Sequence, residues 1–249
     1  MLAFVVGACF GSFANVLIYR LPKNVSIIKL PSACVSCEKR LKPLDLIPVL
    51  SWLYLRGKCR YCKAKISVAY PVTELVCGLL FVASFVLSPD ISAVFIALFS
   101  FILLCIAVID YKTMLIPDSL VIFGAITGLT WVVLFGPSFA PNWYDSLLGI
   151  IFGFFPLFAI DKICLLLYKK DGFGYGDMKL MAMAGIFLGW TGVLMAFFIA
   201  IITGGTYGAF LILTKRATKG AYFAFGPFLC GGAYLSLWLR EALIRLYFG

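Results

Sequence analysis

Outside residues 20–70, this chain is a succession of apolar runs. Several approach or exceed the ~20 residues needed to cross a hydrocarbon core at 1.5 Å per residue, and 178–190 is short. Charged or turn-rich breaks divide them into spans at 1–19, 71–88, 91–109, 117–136, 145–168, 178–190, 192–214 and 222–247. Within a bilayer only helices or closed barrels satisfy their backbone hydrogen bonds, and these runs lack the period-2 alternation of a barrel strand. The pattern predicts an all-α, polytopic membrane protein of about eight transmembrane helices. Composition agrees, because 63% of residues are hydrophobic and 13% charged, against about half and about a quarter in soluble domains. The run from Met1 to Tyr19 lacks a positive leading region and a small-residue cleavage site, so it reads as a retained first span.

The one long polar stretch, 20–70, carries Arg20, Lys23, Lys29, Lys39, Arg40, Lys42, Arg56, Lys58, Arg60, Lys63 and Lys65 against only Glu38 and Asp45. That excess places it in the cytoplasm and the N-terminus outside. Alternation then puts 110–116, 169–177 and 215–221 on the inner side, where Lys112, Lys169, Lys170, Lys215, Arg216 and Lys219 all fall. Arg240 and Arg245 fit this scheme less well. In a chain this apolar the net charge of +10 is the bias of inner loops, and no nucleic-acid partner is expected. The expected organisation is a first helix (1–19), a small cytoplasmic domain (20–70) and a membrane domain (71–249). No internal repeat is evident.

The chain has no histidine. Ser-His and Cys-His nucleophile pairs and histidine-based zinc peptidase sites all need imidazole, so they are excluded. Hydrolytic chemistry must rest on carboxylates, Lys, Cys or a metal that they hold.

There are 11 acidic residues to consider. Glu38 and Asp45 belong to the basic stretch, Asp90 and Asp145 to outer ends, and Glu241 to the C-terminal region. Glu74 and Asp161 lie inside or near helix ends, and Asp171 beside Lys169 and Lys170 reads as a solvated charge. Asp110, Asp118 and Asp177 remain for chemistry, and the span order sets all three at one depth on the inner side. Asp110 ends an apolar run, Asp118 follows Ile116-Pro117 where an acid also suits a helix N-terminus, and Asp177 closes Gly172-Phe-Gly174-Tyr-Gly176. Two carboxylates brought together share a proton, one acting as base on water while the other polarises the scissile carbonyl. That is aspartic peptidase chemistry. The glycines suit backbone at positive φ or close to a bound peptide, although a Gly-x-Gly-Asp loop alone is more often a helix-capping turn. An ionisable group at membrane depth is costly and by default a functional hypothesis.

Cys34-Val-Ser-Cys37 and Cys59-Arg-Tyr-Cys62 form two Cys-x-x-Cys pairs. Four thiolates suit a tetrahedral, structural Zn²⁺ in a zinc-ribbon-like fold, with a redox pair or unmetallated thiols as the alternatives. A cytoplasmic location argues against stable disulfides. Cys9, Cys77, Cys105, Cys164 and Cys230 lie in apolar spans as small packing residues.

An ordered set of segments resembles the type IV prepilin peptidase family of membrane aspartic peptidases. The matching strings are Gly11-Ser-Phe-Ala-Asn-Val-Leu-Ile-Tyr-Arg-Leu-Pro22, Pro31 with the first cysteine pair, Ile47-Pro-Val-Leu-Ser-Trp-Leu53 and Leu55-Arg-Gly-Lys-Cys-Arg-Tyr-Cys62. They continue with Tyr70-Pro71 and Glu74, Ile109-Asp110, Leu115-Ile-Pro-Asp118, Gly174-Tyr-Gly-Asp-Met-Lys-Leu180 and Phe225-Gly-Pro227. Two departures are conservative: Asp45-Leu-Ile-Pro48 stands where many members have Asp-Asn-Ile-Pro, and Leu115-Ile-Pro-Asp118 where Leu-Leu-Pro-Asp is common.

The resemblance implies that Asp110 and Asp177 are the catalytic pair, with Gly174, Gly176, Asp118 and Lys179 in support. It implies cleavage of type IV prepilins or pseudopilins after a glycine, at the inner face of a bacterial cytoplasmic membrane. In many members N-methylation of the new terminus from S-adenosylmethionine follows. Arg56-Gly57-Lys58 lies where the family has residues implicated in methylation, and no Rossmann-type glycine loop marks a site for the donor. A non-catalytic membrane scaffold with a zinc-ribbon interaction domain would explain spans and cysteines, but not the acids or the glycine loop. A membrane redox protein would leave the need for two cysteine pairs unexplained.

Overall fold

The computed structural model describes residues 1–139, 142–169, 172–215 and 223–248. Lys170, Asp171, Arg216 and Lys219, and the side chains of Arg240, Glu241 and Arg245, lie outside the described residues. Among the described residues there is no strand, only the isolated bridges Ala33–Arg40 and Lys58–Lys65. Six helices among the described residues are long and apolar enough to cross a membrane. The chain divides into two compact units, Met1–Phe101 and Ile102–Gly249.

The first unit is built on α1 (Leu2–Arg20) and α3 (Ala69–Leu87), two antiparallel helices that approach closely along small residues. A Cβ on Gly7 would meet the Phe81 side chain at 2.7 Å, and one on Gly11 would meet the Glu74 Cα at 2.6 Å. Glycine at such crossings lets backbones meet where lipid supplies no hydrophobic drive. The intervening polar stretch has little regular structure: α2 (Leu50–Tyr54) and two 3₁₀ turns at Leu21–Lys23 and Pro43–Leu46.

Buried polar side chains tie this stretch to the helix pair. The Arg20 guanidinium donates to the carbonyls of Ser26 (3.1 Å), Leu30 (2.8 Å) and Pro31 (3.0 Å). The Glu74 carboxylate accepts the Val49 N–H at 2.7 Å. Val49 has φ 61°, a left-handed conformation rare for a β-branched residue, so this anchor holds a strained turn.

The unit boundary falls within α4 (Ser92–Thr113). The second unit continues with α5 (Asp118–Phe139), α6 (Trp143–Tyr168), α7 (Tyr175–Leu213) and α8 (Gly226–Phe248). At 39 residues α7 is far longer than a bilayer crossing requires. It breaks at Gly189, where φ 65° and ψ −179° are accessible to glycine and to almost nothing else. The two spans expected at 178–190 and 192–214 are therefore two helical legs, the first starting at Tyr175, that meet at the break at Gly189. The break packs on the neighbouring helix, since a Cβ there would stand 3.3 Å from that of Asp145. Antiparallel α6 crosses the first leg of α7 so tightly that a Cβ on either Gly149 or Gly185 would overlap the other's backbone. The Ser146 hydroxyl donates to the Ile186 carbonyl at 2.9 Å beside this crossing. These antiparallel contacts set the C-terminal end of α6 beside the N-terminal end of α7.

Candidate active site and metal centre

Asp110 lies in the last turn of α4, which ends as Met114 enters the left-handed region with φ 52°. Its side chain is buried, at 5% exposure for the residue. Asp110 Oδ2 accepts the backbone N–H of Gly226, the first residue of α8, at 2.9 Å. A Cβ on Gly226 would come within 2.6 Å of that oxygen, so only glycine lets the helix start touch the carboxylate.

Asp177 stands in the first turn of α7, one end of which Gly174 caps in extended conformation with φ −70°. The Asp177 N–H donates to the Gly174 carbonyl at 3.1 Å. Asp177 is half-buried. Asp110 and Asp177 are electrostatic neighbours, and Cys230, one turn into α8, lies within electrostatic reach of both. Residues 67 positions apart in sequence thus come within electrostatic reach of one another in the second unit.

The third acid is placed differently. Asp118 is exposed at the N-terminus of α5 and pairs with Lys179 Nζ at 2.9 Å. With side-chain exposures of 64% and 46%, this is a solvated ion pair, worth about 0–1 kcal/mol. Lys179, expected only as support, is this partner.

The glycines ahead of Asp177 serve close approach rather than positive φ, which among described glycines occurs only at Gly57 and Gly189. Gly176 faces Ile116, where a Cβ would stand 3.0 Å from the Ile116 Cβ, and Gly172 faces Cys164 at 2.9 Å. Gly174 is exposed beside Asp177 Oδ2.

Two participants escaped the sequence reading. Gly226 sits in a string quoted only for resemblance, and nothing local links it to an acid 116 positions away. Asp161, set aside as lying near a helix end, is buried at 3% exposure and accepts the backbone N–H groups of Gly172 (3.0 Å) and Phe173 (3.4 Å).

In the first unit the Sγ atoms of Cys34, Cys37, Cys59 and Cys62 all lie within 4.8 Å of one another, with Cys34 and Cys62 at 3.8 Å. Zn–S bonds of about 2.3 Å in a tetrahedron put sulfurs about 3.8 Å apart, so the four residues fit a closed zinc site. Two hairpins of like shape supply them. Cys34 accepts the Glu38 N–H and donates to the Lys39 carbonyl, and Cys59 does the same with Lys63 and Ala64. Glu38 (φ 56°) and Lys63 (φ 59°) both adopt the left-handed conformation that turns each hairpin. This short repeat is visible in the backbone and escaped the sequence reading.

The thiols are electrostatically unequal. Burial opposes the Cys34 thiolate, but hydrogen bonds from the Cys37 and Ser36 backbone outweigh it and bring the group down to about 6. The Ala64 backbone favours ionised Cys62, yet burial and the neighbouring thiols push it up to about 11. Four thiolates this close need a cation to ionise together. Beside them, Asp45 binds Arg60 through Oδ1, at 2.8 Å from Nε and 2.6 Å from Nη2. The Arg60 guanidinium holds the Asp45 carboxyl below its usual range.

Residues 5–88 match the model of the bacterial peptidase A24 N-terminal domain, and residues 97–209 match that of the type IV leader peptidase family. The prepilin leader peptidase/N-methyltransferase of Bacillus subtilis (strain 168) is 36% identical over 98% of this chain and 96% of the relative. The protein of the same description from Stutzerimonas stutzeri is 34% identical over 98% of this chain and 92% of its own, and that of Pseudomonas aeruginosa 31% over 98% and 91%. No solved structure matches. Both halves of the chain match, and its relatives align along nearly their whole length, so it belongs to the type IV leader peptidase family.

Proposed function

We propose that this protein is a membrane aspartic endopeptidase that removes the leader peptide of type IV prepilins or pseudopilins after a glycine, using Asp110 and Asp177. The observation that carries this reading is the electrostatic proximity of these two acids, on α4 and α7, inside the segment that matches the leader peptidase family. One carboxylate, ionised, takes a proton from water as the oxygen attacks the scissile carbonyl carbon. The other, protonated, donates to the developing oxyanion, and a proton then passes to the leaving amine. Gly226 N–H keeps Asp110 in place throughout.

Relatives named as N-methyltransferases support a second step, methylation of the new N-terminus from S-adenosylmethionine. At the turn of Arg56, Gly57 and Lys58 the Trp52 indole stands 2.8 Å from where a Gly57 Cβ would be, while Arg56 and Lys58 are exposed. No residue is assigned to hold the donor. Cys34, Cys37, Cys59 and Cys62 would hold one structural Zn²⁺ that locks the 20–70 domain and leaves no coordination position for catalysis.

The protein is placed in the bacterial cytoplasmic membrane, with the first helix (1–19) leading into a cytoplasmic domain (20–70) and then the peptidase domain (71–249). The basic residues of 20–70 and of the inner loops support this orientation. A prepilin's basic leader and apolar helix would set its scissile bond at the inner membrane surface. With both aspartates there, cleavage proceeds without drawing the substrate helix from lipid.

The test is incubation of purified protein in detergent with a prepilin, with and without S-adenosylmethionine, read by mass spectrometry. Loss of the leader, plus 14 Da only when the donor is present (about the mass of one CH₂), is expected. An intact substrate would overturn the reading. Cysteines at Lys112→Cys and Tyr175→Cys, in an active variant otherwise depleted of cysteine, should react with an impermeant thiol reagent from the cytoplasmic side. Reaction only from the opposite side would overturn the orientation.

A further inference from the structure

We propose that Asp161 is a positioning residue of the peptidase site, fixing the loop that delivers Asp177 and the turn that holds Asp110; this rests on the reading of those two acids as the catalytic pair. Asp161 lies near the C-terminal end of α6, with its side chain 4% exposed. An acid buried there is costly unless its charge is compensated. Lys162 Nζ lies 3.5 Å from Oδ2, and Oδ1 accepts the N–H groups of Gly172 and Phe173. Both amides belong to the segment just before Gly174, the cap of α7. Free of such a partner, two successive N–H groups ahead of a helix have no fixed direction.

The held segment leads to both aspartates. Through Gly174 it sets where α7 begins and therefore where Asp177 stands. Through Phe173, whose ring meets that of Phe225 edge to face at 5.5 Å, it buttresses the residue directly before Gly226. Gly226 in turn donates to Asp110. Lys162 closes the other side, 5.8 Å from the centre of the Tyr175 ring at the first position of α7. One carboxylate therefore organises the supports of two others without touching substrate. Gly172 completes the fit, because a Cβ there would stand 2.9 Å from Cys164 Sγ and push the loop away from α6.

The test compares full-length Asp161→Leu and Asp161→Asn with the wild type in detergent, measuring initial rates of prepilin cleavage over a range of substrate concentrations. Loss of a charge-assisted hydrogen bond that sets geometry is worth about 10- to 100-fold. The expected result is a fall in kcat of about that size for Asp161→Leu with KM within about threefold. Asparagine keeps an acceptor oxygen, so Asp161→Asn should recover most of the lost kcat, a rescue that a charge needed only for folding would not show. Equal damage in both variants, or wild-type kcat in Asp161→Leu while Asp110→Asn and Asp177→Asn are inactive, overturns the positioning role alone. Full cleavage by Asp110→Asn and Asp177→Asn overturns the underlying pair. Should Asp161→Leu fail to fold, amide exchange of the wild type decides: protected Gly172 and Phe173 amides support the proposal, and free exchange there overturns it.

Discussion

The Gly226 N–H points at Asp110 Oδ2 from 2.9 Å, joining the first residue of α8 to the last turn of α4. The glycine's missing side chain is what permits the contact, since a Cβ would stand 2.6 Å from the same oxygen. This makes Gly226→Ala informative. Alanine is the better helix former by about 1 kcal/mol, so the substitution should not cost stability through helix propensity. It should displace the carboxylate and lower kcat for prepilin cleavage by about 10-fold or more. Wild-type turnover in Gly226→Ala would mean that Asp110 does not depend on this contact.

Asp110→Asn and Asp177→Asn are each expected to abolish cleavage while the protein remains inserted and folded, because either change removes a titrating member of the pair. Asp118→Asn should retain far more activity, since it breaks only an exposed ion pair to Lys179. Prepilin cleavage assayed beside circular dichroism separates catalysis from folding. Full activity in either of the first two variants would refute the assignment.

The four-cysteine cluster should carry about one zinc per chain when the protein is purified without chelator. Removing one ligand, as in Cys59→Ser, should lower the bound metal to near zero and loosen the 20–70 segment while α1 and α3 stay paired. Elemental analysis with thiol counting provides the measurement. Absence of metal together with four freely reactive thiols would rule the site out.

Arg60 lowers the Asp45 carboxyl from its ordinary value. A group depressed in the folded state adds stability above its unfolded pKa of about 3.9 and loses it as pH falls through the lower folded value. The wild type should therefore hold the segment around residues 42–62 intact above about pH 4 and loosen it below, beyond what Asp45→Asn shows. Trp52, whose indole N–H donates to the Ile66 carbonyl at 3.1 Å, reports locally by fluorescence. Identical pH profiles for wild type and Asp45→Asn would show that the ion pair contributes nothing.

What was legible in the sequence depended on periodicity, composition and short spacing. Apolar runs of bilayer length specify helices almost without regard to their neighbours, because the backbone has no other means of satisfying its hydrogen bonds in lipid. Cys-x-x-Cys pairs announce their chemistry locally, and the absence of histidine removes whole reaction classes. Asp110, Asp118 and Asp177 could accordingly be singled out from 11 acids. Only the tertiary structure showed what surrounds each acid. It sorted Asp118 to an exposed pair with Lys179, set Asp177 within electrostatic reach of Asp110, and joined Asp161 to Gly172 and Gly226 to Asp110 through contacts 11 and 116 positions apart. Those contacts lie at helix ends whose placement depends on crossings such as that of Gly149 and Gly185, and a crossing is a property of two surfaces rather than of either sequence segment alone.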